Sequence, residues 1–117
     1  MKYPLILTVA LTLSFPPEAV RADPPVILEA RYTNGQISVT LSHPDTGWDH
    51  YADGWQVELE DGTVLGSRTL FHPHVEEQPF TRSLGDLVIP DGVTQVFIRA
   101  HCNVTGWGED RFALTIE

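Results

Sequence analysis

Beyond residue 22 the apolar positions of this chain recur every second residue in short runs. Ile37, Val39 and Leu41 alternate with Ser38 and Thr40, and Trp55, Val57 and Leu59 alternate with Gln56 and Glu58. A period of two is the side-chain period of a strand with one face buried. No stretch repeats at the helical period. The runs predict strands at residues 26–33, 36–42, 54–60, 63–71, 80–89, 94–101 and 111–116. Turn residues separate them. Asn34-Gly35 is a two-residue hairpin signal, because both positions tolerate positive φ. Asp61-Gly62 and Pro90-Asp91-Gly92 are further tight turns, and Gly85-Asp86 is a candidate break inside the fifth run.

Strands of this number and spacing predict an all-β domain, a seven-stranded immunoglobulin-like antiparallel β-sandwich. The stretch QVFIRAHCNVTGWG, from Gln95 to Gly108, resembles the penultimate strand and following loop of fibronectin type III domains. That resemblance implies the sandwich fold and no particular function.

Residues 1–22 read differently. Lys2 precedes an uncharged apolar run from Pro4 to Phe15, and Ala19-Val20-Arg21-Ala22 offers small residues for cleavage. This is the layout of a secretory signal. The run is shorter than the roughly 20 residues that span a bilayer. The expected division is a signal peptide at 1–22 and a β-sandwich domain at 23–117, in a secreted or periplasmic compartment with no membrane insertion.

Successive loops of an up-and-down sandwich alternate between its two ends. The first, third and fifth connections are the tight turns. The second, fourth and sixth are long, at residues 43–53, 72–79 and 101–110, and they hold all five histidines, the single cysteine, Trp48 and Trp107. Binding residues concentrate on loops carried by a rigid scaffold. The second loop, HPDTGWDHYAD, supplies His43 and His50 amid Asp45, Asp49 and Asp53. The fourth, HPHVEEQP, supplies His72 and His74. In an extended segment residues two apart point the same way, so both imidazoles are expected to reach one ion. The sixth begins with His101 and Cys102. Strand alternation allows only one of that adjacent pair to face the site. Imidazole suits copper, zinc and iron, and thiolate adds preference for softer ions. His43, His50, His72 and His74 are the first candidate ligands, with Cys102 and His101 next, for copper or zinc and less readily iron.

Charge fits that reading. The chain carries a formal net charge of −9. Without residues 1–22, whose Lys2 and Arg21 outweigh Glu18, it is about −10, and no lysine remains. Such a surface repels nucleic acid and anionic membranes. It suits a metal ion and leaves room for a protein partner. Cys102 has no second cysteine to pair with, so stability must come from the core. The tryptophans read either as core residues or as a sugar-stacking platform. Asn103-Val104-Thr105 matches a glycosylation acceptor. Arg82 is placed to pair with Glu76 or Glu77 and brace the fourth loop. No glycine-flanked nucleophilic serine or phosphate loop is present, and no catalytic residue is assigned.

His43-Pro44, His50-Tyr51 and Cys102-Asn103 with Gly106 also resemble, in order and context, the iron domain of superoxide reductases. That family has an immunoglobulin-like sandwich. The resemblance implies His43, His50 and Cys102 as iron ligands. Thr105 stands where the family has its last histidine, and its N-terminal ligand histidine and lysine-bearing loop have no counterpart here. Three functions therefore stay open: an exported metal-binding module, a superoxide-reductase-like iron redox enzyme, and a non-metal interaction or structural module.

Overall fold

The computed structural model describes residues 23–116, so the expected signal peptide lies outside the described residues. Eight strands form two antiparallel sheets, and the described residues contain no helix. The first sheet has the order β1 (Val26–Thr33), β2 (Gln36–Ser42), β5 (Phe80–Leu84). The second runs β4 (Val64–Thr69), β3 (Ala52–Glu58), β6 (Gln95–Cys102), β7 (Gly106–Trp107), with β8 (Phe112–Thr115) also paired to β6.

Seven strands were expected and eight are found. The additional one, β7, is a two-residue strand inside the sixth loop, pairing Trp107 with His101 and Gly106 with Cys102. Two residues are too few to show a period. The fifth strand also stops at Leu84 rather than continuing to residue 89. Asp86 takes φ +56°, and an L-residue in that left-handed region breaks a strand. The first hairpin turns as expected, with Asn34 at φ +51° and Gly35 at φ +77°.

Alternation placed the core correctly. Ile37, Val39 and Leu41 from β2, Trp55 and Val57 from β3, and Val96, Ile98 and Ala100 from β6 join one buried cluster with Ala52, Leu70, Phe80 and Leu114. Both sheets contribute to it. On the opposite face of the second sheet Glu58 is buried between two guanidinium groups, Arg99 at 3.0 Å and Arg111 at 3.2 Å. That cluster ties β3, β6 and the segment before β8 together. Of the tryptophans only Trp55 is core, while Trp48 and Trp107 are exposed. Among the described residues no helix is long and apolar enough to cross a membrane.

Candidate metal centre

Three long connections meet where β2 ends and β3 and β6 begin and end. β2 closes at Ser42, so His43 is the first residue past the sheet. β3 opens at Ala52, two residues after His50. β6 ends on Cys102, whose backbone pairs with Ala52. The strand ends therefore deliver two histidines and the cysteine to one place. One ligand atom from each of His43, His50 and Cys102 lies within 4.8 Å of the other two. Ligands bound at about 2.0–2.3 Å around a tetrahedral ion stand about 3.5 Å apart, so the trio closes on an ion with small side-chain movements.

Polarity at the trio fits a cation. The His43 ring is buried, and its Nδ1 pairs with the buried carboxylate of Asp45 at 2.5 Å. That fixes the ring orientation and leaves Nε2 as its free nitrogen. Nε2 of His43 and Nε2 of His50 are both buried with no hydrogen-bond partner. Buried polar atoms are normally paired, so two orphaned imidazole nitrogens on neighbouring rings call for an occupant. The rings meet edge to face, with centroids 4.6 Å apart. A carboxylate holding the far nitrogen of a ligand histidine is the usual outer support of such a site. Cys102 is fully buried, and its Sγ accepts the Val104 N–H at 3.4 Å. An amide aimed at the sulfur stabilises negative charge there.

Asn103 joins the second and sixth loops. Its Oδ1 accepts the Tyr51 N–H at 2.9 Å and its Nδ2 donates to the Trp48 carbonyl at 3.0 Å. The side chain read as a glycan acceptor is thus already engaged in holding His50 beside Cys102.

The other histidines sit elsewhere. His101 points to the opposite face of β6 from Cys102, pairs with Asp53 and meets Trp107 edge to face. His72 is exposed, with Nδ1 near the Pro73 carbonyl at 3.2 Å. His74 is buried, stacked on Phe80 at 3.8 Å, and its Nε2 accepts from Arg82 Nη2 at 2.9 Å. Arg82 also lies 3.6 Å from Glu77, the brace expected of it. His72 and His74 do lie close, at 4.6 Å between centroids, but no third donor completes a cluster with them among the described residues. Asp45 is the residue whose importance the sequence understated. It reads there only as one of three aspartates beside the second-loop histidines.

Burial lowers the His74 pKa below the ordinary histidine value, and the Arg82 and His72 charges push the same way. The folded state therefore resists a proton that the unfolded chain accepts. Stability is expected to be independent of this group above pH ~6.5 and to fall as pH drops below it. His74→Gln, which keeps an acceptor for Arg82, should flatten the dependence of unfolding free energy on pH between pH 5 and 7. An unchanged slope in urea titrations would remove His74 as its source.

No family model matches the chain. A protein of Halomicrobium mukohataei named "Putative lipoprotein" is 44% identical over 82 residues, covering 70% of this chain. The chain spans 40% of the length of that relative. Among solved structures, a superoxide reductase (1Fe-SOR) from Giardia intestinalis superposes with a TM-score of 0.50 at 15% identity, over 75% of this chain and 94% of that one. A superoxide reductase (neelaredoxin) from Ignicoccus hospitalis gives a TM-score of 0.45 at 22% identity, over 81% of each chain. The likeness to the Giardia protein is one of fold.

Proposed function

We propose that this protein is an exported metal-binding module whose single transition-metal ion is held by His43, His50 and Cys102. The observation that carries the reading is the pair of buried, unpartnered Nε2 atoms beside a buried thiol. An unpaired buried polar atom costs about 1–3 kcal/mol, and one ion between the two rings would satisfy both nitrogens together. His72, His74 and His101 are not ligands in this proposal. The ion supplies positive charge and, if redox-active, an electron site. The chain's own residues fix the donor atoms and exclude water from the His43 side.

Two imidazoles and one thiolate form the trigonal set that copper prefers, and zinc accepts three protein ligands with one position open. Iron is the second reading. It is favoured by the fold shared with the Giardia superoxide reductase and by the order His-Pro, His-Tyr, Cys-Asn along the chain. On that reading the activity would be a superoxide-reductase-like electron transfer, with Thr105 in place of one expected donor. Export is supported by residues 1–22 and by the name of the Halomicrobium relative. The domain is a two-sheet sandwich in this proposal.

Elemental analysis of untagged protein, purified from the compartment where it accumulates, is the test. About one equivalent of copper, zinc or iron per chain is expected. A thiolate-to-metal charge-transfer band that appears in the visible on oxidation marks copper or iron, and zinc gives none in either state. Protein that carries no metal, and that none of the three ions stabilises thermally, would make the module a non-metal one.

A further inference from the structure

The fourth loop resembles a ligand loop in sequence, yet its Gln78 side chain and His74 amide turn toward His43 and Asp45 of the second loop. Gln78 Oε1 accepts the His43 backbone N–H at 3.0 Å. Gln78 Nε2 donates to the His74 carbonyl at 2.8 Å. The His74 backbone N–H donates to Asp45 Oδ2 at 2.8 Å. Asp45 Oδ1 closes the circuit on His43 Nδ1. These four hydrogen bonds form a ring that starts at the His43 amide and returns to the His43 imidazole. The ring is anchored on the first sheet, because the His74 side chain stacks on Phe80, the first residue of β5, and bonds Arg82 on the same strand.

We infer that Gln78 is a positioning residue: with His74 and Asp45 it forms a clamp that presets the rotamer of His43 before a metal arrives. The inference rests on the metal reading of His43, and it makes the His-Pro-His-x3-Gln segment a scaffold for a ligand rather than a source of ligands. Holding a side chain by both its backbone and its ring leaves little rotational freedom to lose on binding. Water is a poor substitute for the amide of Gln78, because His43 is only 1% exposed.

The test uses the full chain with Gln78→Leu, which keeps the side-chain bulk and removes both polar atoms, and Gln78→Glu, which keeps only the acceptor for the His43 N–H. Metal affinity is expected to fall about 10–100-fold in Gln78→Leu, as for loss of outer support at other metal sites, and by less in Gln78→Glu. Gln78→Leu should also lower the thermal stability of the metal-free protein, because the His43 N–H and the His74 carbonyl lose their partner, and Gln78→Glu should lower it less. A second measurement needs no metal. In nuclear magnetic resonance of the metal-free protein, the wild-type His43 amide should exchange slowly and its ring give one set of signals. Gln78→Leu should lose the protection and broaden the ring signals. A Gln78→Leu protein whose His43 amide stays protected and whose ring keeps one conformer overturns the clamp, whatever the metal does. Wild-type protein that binds no metal overturns the metal reading instead, and the metal-free measurement still decides the clamp.

Discussion

On the proposed metal reading, Cys102→Ser is expected to abolish most of the stabilisation that a bound ion gives. A ligand that binds only the folded state raises the unfolding free energy by about 2.7 kcal/mol at a hundred times its Kd, and by about 4.1 kcal/mol at a thousand times. Serine keeps the shape of cysteine and an acceptor for the Val104 N–H, but it does not offer a thiolate. His50→Ala should behave alike, since the His50 Nε2 has no partner within the protein to lose. His43→Ala is a less clean variant. It also removes the ring that Asp45 holds, so the metal-free protein should weaken as well. The contrast lies in His72→Ala. His72 is exposed and outside the trio, and its variant should respond to metal as the wild type does. Thermal unfolding with and without metal, under reducing conditions, reads all four. A Cys102→Ser protein stabilised as strongly as the wild type would remove the cysteine from the site.

Part of this site was readable in the sequence, through the phase of β6. Val96, Ile98 and Ala100 are apolar and two apart, so the same face continues to Cys102 and turns His101 outward. That phase places Cys102 inside. The clustering of histidines in the loops, which puts His72 and His74 ahead of Cys102, makes no use of that phase. The fourth-loop histidines were harder to read. Their spacing does bring the rings within 4.6 Å, as expected of residues two apart. What the sequence does not display is that Phe80 and Arg82 claim the His74 ring. Asp45 was obscured for a similar reason. Its partners are His43, two residues away, the Ala52 amide at the start of β3, and the His74 amide, 29 residues away, and only the meeting of the loops brings in the last.

The same balance holds for the fold. The hairpin at Asn34-Gly35 and the inward rows of β2, β3 and β6 follow from local rules of φ and period. β7 does not, because its pairing with the end of β6 depends on a turn at Gly106, where φ is +79°. Yet that small strand helps close the sixth loop beside Cys102. The elements that finish the site are therefore the ones with the weakest local signal. Strand periodicity specifies the platform, and contacts between loops distant in sequence complete what stands on it.

The platform itself gives the second large effect. Trp55→Ala is expected to cost about 3–5 kcal/mol, as truncation of a large core side chain does. Trp55 is fully buried on β3, between β4 and β6, and is the largest of the fully buried side chains. Domains of this size hold a total of about 5–15 kcal/mol, and no internal disulfide backs up the core here. The alanine variant should therefore be marginal at room temperature. Trp55→Phe should be far milder. The indole Nε1 is buried without a partner, so phenylalanine gives up some packing but also removes an unsatisfied N–H worth about 1–3 kcal/mol. Urea unfolding should place the phenylalanine variant within about 1 kcal/mol of the wild type on those terms. A phenylalanine variant that loses clearly more than this would mean that the indole N–H is satisfied in solution. β3 also begins at Ala52, two residues from His50 and paired with Cys102, so loss of the core should separate the two. A metal that binds the folded site should then partly rescue Trp55→Ala, and the rescue should vanish when Cys102→Ser is added. That double variant links the core to the site: the ion can restore the sheet only through the thiol at its edge.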